Sequence, residues 1–143
     1  MRFREIFEGL DVGYGIYYDH VDNPNGKSSG KSKFVTKPPS AEVWENHLKG
    51  VQPSLGIVPI RADNTCTWGC IDIDQYPLDH KALVSKIRKH ELPLIVCSSK
   101  SGGAHCFLFT KEPIPAKVMQ NYLISASASV SYTHLRAHET RIH

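Results

Sequence analysis

The stretch WGCIDIDQY, residues 68 to 76, constrains this chain more than any other. It sets isoleucine and aspartate in strict alternation, Ile71–Asp72–Ile73–Asp74, inside an otherwise apolar run. Period-two alternation of branched apolar residues predicts a β-strand, here over residues 66 to 74. Residues i and i+2 of a strand share a face. Asp72 and Asp74 are therefore expected side by side, with Ile71 and Ile73 on the opposite face. Carboxylates held that close repel one another unless a partner sits between them. A hard divalent cation is one such partner, since Mg²⁺ prefers oxygen ligands and is commonly held by one or two carboxylates with substrate phosphates.

Taken alone, DxD leaves other readings open. Two solvated acids on an edge strand fit it, and it occurs in sugar-nucleotide transferases and in Toprim-type nucleases and topoisomerases. Bulk properties narrow the field. A length of 143 residues suits one domain, and 41% apolar content is enough for a core. No run of eighteen apolar residues is present, so no membrane span is expected. The start, MRFREIFEGLD, lacks an apolar signal core, and a cytoplasmic protein is expected. Cys66, Cys70, Cys97 and Cys106 are then expected as reduced thiols. Cys66 and Cys70 are spaced CxxxC and could be joined with His105 and Cys106 in a zinc site, but paired CxxC knuckles are missing. A net charge of +3 is compatible with a nucleic-acid partner without requiring one.

Along the chain, residues 12 to 18 read as a first strand and 19 to 39 as a polar loop. Within that loop GKSSGKS looks like a phosphate-binding P-loop. The P-loop pattern needs four residues between its first glycine and the GK pair. Only three separate Gly26 from Gly30 here, so a flexible basic loop is expected, with Lys27, Lys31 and Lys33 able to meet a nucleic-acid backbone. Ser40 is placed to cap a helix AEVWENHL. Residues 54 to 60 read as a strand, and Asp79 as the cap of a helix HKALVSKIRKH with Leu83, Val84 and Ile87 on its apolar face. PLIVCS (93 to 98) and HCFLFT (105 to 110) read as strands, and Pro115 opens a helix AKVMQNYLI. Alternating strands and helices give an α/β or α+β class with a sheet core.

A second constellation follows the acids. SSKSGGAHCFLF, residues 98 to 109, sets a Ser/Gly-rich loop against an apolar strand. Gly102 and Gly103 allow close backbone approach to a ligand. Ser99, Lys100 and Ser101 add donors suited to phosphate oxygens, and His105 opens the next strand beside them. Each half has an ordinary explanation, a hairpin turn or a packed histidine. Together, a carboxylate pair and a phosphate-type loop lie on neighbouring strands separated by one helix.

These residues resemble the catalytic domain of archaeo-eukaryotic primases, the primase–polymerase superfamily, and within it the primase domains of bacterial conflict systems and phages. The resemblance runs from about Phe7 to Ile124 and rests on HLKGVQPSLGIVPI, WGCIDID and SKSGGAH. It implies an RRM-like core sheet with flanking helices. It implies metal-dependent transfer of nucleotides onto a primer or initiating nucleotide on a DNA template. By position it assigns Mg²⁺ or Mn²⁺ to the catalytic acids Asp72 and Asp74, and nucleotide binding to Ser99, Lys100, Ser101, Gly102, Gly103 and His105. Implied partners are a DNA template, nucleoside triphosphates, and a helicase or other replication module in the full-length protein. A bacterial or phage-infected host cell fits as the setting.

The chain departs from that family in lacking a third acid on a later strand. After Phe109 only Glu112 and Glu139 remain. Glu112 lies too close to the histidine strand. Glu139 belongs to the stretch VSYTHLRAHET, which resembles the translation of a transposon-derived sequencing adapter. The expected organisation is therefore a partial catalytic domain at 1–129, whose own polymerase activity the missing acid leaves open, and a non-native tail at 130–143, whose His134, His138 and His143 belong to no site. Two other classes stay open: a non-catalytic RRM-like module binding single-stranded nucleic acid, with Phe107 and Phe109 as candidate exposed aromatics whose alternation fits a core face equally well, and a different DxD phosphotransferase, nuclease or glycosyltransferase.

Overall fold

The computed structural model describes residues 2–19 and 30–130, and the backbone of 140–141. The chain divides into two compact units, Met1–Asp63 and Asn64–His143.

In the first unit, α1 (Arg2–Phe7) leads into β1 (Tyr14–Tyr18), β2 (Lys31–Val35), α2 (Ala41–Leu48) and β3 (Ser54–Gly56). The three strands form an antiparallel sheet in the order β2-β1-β3. Ser40 caps α2 as its sequence position predicts, its hydroxyl accepting from Val43 N at 3.3 Å. Trp44 is the buried anchor of that helix, with Phe3 edge-on at 6.3 Å. His47 Nδ1 accepts from Leu55 N at 3.0 Å and ties the helix to β3.

Three expectations change here. The polar segment 19–39 contains β2, whose KSKFV pairs residue for residue with β1. Lys31 and Lys33 therefore stand exposed on a strand, whereas Lys27 lies outside the described residues. The strand expected at 54–60 stops at Gly56. Helix α1 was not anticipated: six residues are too few to carry a helical period.

The second unit holds β4 (Thr65–Ile73), α3 (His80–Lys89), β5 (Ile95–Ser98), β6 (Ala104–Pro115), α4 (Ala116–Val130) and β7 (Thr140–Arg141). Its sheet runs β5-β6-β4-β7 with every neighbouring pair antiparallel. With its flanking helices this is the mixed helix–sheet architecture expected. Asp79 Oδ1 accepts from Ala82 N at 3.0 Å and starts α3. Helix α4 runs through to Val130, longer than its expected nine residues and reaching the first residue of the adapter-like stretch. The tail histidines lie outside the described residues.

The alternation of β4 separates two environments. Ile71 and Ile73 are 0% and 1% exposed. They share a face with Gly69, against which α4 crosses: a Cβ on Gly69 would stand 2.7 Å from Leu123 Cδ1 and 3.0 Å from Met119 Cγ. Only a residue without a side chain lets the helix approach so closely. Trp68, Cys70 and Asp72 occupy the other face. By register they sit opposite Phe109, Phe107 and His105 of β6.

Candidate active site

Strand β4 ends at Ile73, one residue earlier than expected, so the two acids straddle its terminus. Asp72 lies inside the ladder and is only 5% exposed. Asp74 is the first residue beyond the strand and is exposed. The pair thus differs in environment, one acid fixed in the sheet and one at its solvent edge.

Register places His105 directly across from Asp72. His105 Nε2 stands 3.3 Å from Asp72 Oδ1. An ionised carboxylate only accepts hydrogen bonds, so Nε2 carries the hydrogen in this contact. The histidine side chain is 41% exposed, against 6% for that of the aspartate. It therefore presents a ring edge outward from a buried acid. On the next strand Cys97 stands opposite His105, also exposed.

The glycine loop joins β5 to β6 as a tight turn. Ser99 N donates to Gly103 O at 3.0 Å, and Gly102 N donates to Ser99 O at 3.1 Å. Gly102 has φ +96°, a conformation that side-chain-bearing residues rarely adopt. A Cβ on Gly103 would collide with the Ile73 carbonyl oxygen. The loop backbone therefore rests directly on the residue between the two acids. His80, the first residue of α3, donates from Nε2 to Gly103 O at 2.9 Å and secures the loop from the other side.

Tyr76 completes the arrangement. Its hydroxyl lies 3.2 Å from Asp74 Oδ1 and 2.7 Å from Ser101 Oγ. Ser101 Oγ is in turn 3.4 Å from Ser99 Oγ. Of the residues singled out from sequence, Asp72 and His105 meet directly. Asp74, Ser101 and Ser99 are joined through Tyr76, and Gly103 is wedged between the strands. Lys100 is exposed in the loop. Sequence reasoning missed Tyr76 and His80. The first continues the i, i+2 series from Asp72 through Asp74, and the second directly follows the helix cap, so both carried a local signal.

The donor set bears on metal binding. Among the described residues no group of three or more His, Cys, Asp and Glu side chains gathers as a ligand cluster. Glu112 supplies no third acid: it lies in the β6 segment between Phe109 and Ile114, where the register with β4 shifts between Trp68 and Cys66. That is on the order of 15 Å along the strand from Asp72. Two carboxylates beside a phosphate-type loop fit one hard cation whose remaining ligands come from a triphosphate and water.

A family model for the archaeo-eukaryotic primase domain of TOTE conflict systems matches residues 13–139. The chain belongs to that family. The resemblance drawn from its motifs thus holds, and over more of the chain than those motifs span, since the match extends into the adapter-like stretch. Membership makes this primase domain a primase/polymerase-type nucleotidyltransferase at the level of the family, with nucleic acid and nucleotides as substrates. No curated protein matches the chain. No helix among the described residues of the primase domain is long and apolar enough to cross a membrane.

Proposed function

We propose that residues 64–130 carry the nucleotide-binding half of a primase–polymerase site that extends a primer or initiating nucleotide on a DNA template. Asp72 and Asp74 would hold Mg²⁺ or Mn²⁺, which would supply positive charge against that of the carboxylates and the triphosphate. Ser99, Lys100, Ser101 and the Gly102–Gly103 backbone receive the phosphates, and His105 presents its ring to them from above Asp72. In the reaction a hydroxyl oxygen bonds to the α-phosphorus and gives its proton to water, while the bond to the leaving pyrophosphate breaks. The residues named here bind and orient that triphosphate, and positioning of this kind supplies most of the catalysis in a phosphoryl-transfer site.

The observation that carries this reading is the seating of the glycine loop on Ile73, between Asp72 and Asp74, with His105 paired to Asp72. Nucleoside-triphosphate binding with Mn²⁺, comparing the wild type with Asp72→Ala, tests it: an affinity unchanged by the substitution defeats it. Residues 130–143 we read as a non-native, adapter-like tail on a partial catalytic domain at 1–129, and resequencing the source locus across those codons checks this.

A second reading, a non-catalytic binder of single-stranded nucleic acid, draws on one observation. Phe107 and Phe109 stack with centroids 6.0 Å apart on the acid-bearing face, and Trp68 lies 6.2 Å from Phe107. It requires salt-sensitive binding of single strands that is indifferent to loss of both aspartates.

A further inference from the structure

We propose that Tyr76 is a positioning residue that couples cation binding at Asp74 to phosphate binding at the serine loop. The inference rests on the primase–polymerase reading of the site and adds a residue to it. It follows from counting hydrogens. Tyr76 Oη is within reach of both Asp74 Oδ1, at 3.2 Å, and Ser101 Oγ, at 2.7 Å, yet it has one hydrogen. The carboxylate can only accept. With no ligand bound, Tyr76 therefore donates to Asp74, Ser101 donates to Tyr76, and Ser99 donates to Ser101 across 3.4 Å. Both serine hydrogens then point inward, toward the acid.

A phosphate arriving at the loop reverses this order. Ser101 turns its hydrogen to the anionic oxygen, a stronger charge-assisted bond. Tyr76 then donates to Ser101 and releases Asp74 Oδ1, freeing a carboxylate lone pair for a cation. A cation on Asp74 displaces the Tyr76 hydrogen in the same direction and favours the same chain. Each ligand thus prepares the site for the other through a single O–H, and linkage requires the effect to be reciprocal. The ring lies against the loop it serves, since a Cβ on Gly102 would be in ordinary contact, 3.9 Å, with Tyr76 Cδ1 and Cε1. The hydroxyl rather than the ring carries the coupling, and Tyr76 is 53% exposed, so Tyr76→Phe removes the link and leaves the fold intact.

The test compares the affinity of a deoxynucleoside triphosphate for the full chain with Mn²⁺ and with chelator, by titration calorimetry. The ratio of the two affinities is the coupling factor. It is measured in wild type, Tyr76→Phe, Ser101→Ala, the double variant and Asp72→Ala/Asp74→Ala. We expect Tyr76→Phe to lower the factor by about fivefold, and to lower it no further in the Ser101→Ala background. An unchanged factor in Tyr76→Phe, beside a wild-type factor that the aspartate variant abolishes, overturns the coupling and leaves the site reading standing. A wild-type factor near one overturns both.

Discussion

His105 and Asp72 face each other across β6 and β4, with Nε2 3.3 Å from Oδ1, so the most buried acid of the site reaches solvent through a histidine. Removing the ring leaves Asp72 without this donor and takes from the proposed phosphate site the ring that stands over the acid. His105→Ala is expected to weaken metal-dependent nucleotide binding about tenfold, as loss of one charged hydrogen bond implies. Its thermal midpoint should stay close to that of the wild type, because the ring is half exposed. Calorimetric titration and a melting curve on the same sample check both parts.

Gly103 bears on Ile73 in a way no larger residue can. Gly103→Ala forces its Cβ into the Ile73 carbonyl oxygen, lifting the loop off the strand end. A stability loss of about 1–3 kcal/mol is expected, together with loss of nucleotide binding. Urea denaturation and nucleotide titration measure the two effects.

Gly69 separates stability from chemistry. It lies on the face opposite Asp72, under α4, where a Cβ would stand 2.7 Å from Leu123 Cδ1. Gly69→Ala should cost about 1–3 kcal/mol of unfolding free energy, while folded protein binds nucleotide with the wild-type affinity. A shifted urea midpoint with unchanged titration is the expected pair of results.

Cys106 gives a pH signature. Burial, with a smaller contribution from Cys97, pushes its thiol from 9.0 up to about 11. The folded state therefore holds this proton more tightly than the unfolded chain does. The stability it contributes is complete below about pH 9 and is lost as pH rises toward 11. The difference in unfolding free energy between wild type and Cys106→Ala should shrink over that window. At pH 8, alkylation should reach exposed Cys97 well before buried Cys106.

Much of the site could be read from local pattern. The i, i+2 acids, the paired glycines and His105 after them are short-range signals, and so are the caps Ser40 and Asp79. What escaped depends on partners distant in sequence. KSKFV has no apolar alternation, and its strand exists because β1 offers it a ladder of hydrogen bonds. The strand expected to run to Asp74 stops one residue short because β4 loses its pairing after Ile73, opposite Ala104, where β6 begins. Tyr76 gains meaning only when the loop holding Ser101 folds over it, 25 residues on.

Nucleoside-triphosphate binding to the full chain, with Mn²⁺ and with chelator, in wild type and Asp72→Ala/Asp74→Ala, probes the site most directly. A carboxylate-held cation shared with the triphosphate predicts binding that needs both the metal and the aspartates. Equal affinity in the folded double variant, or in chelator, would contradict it.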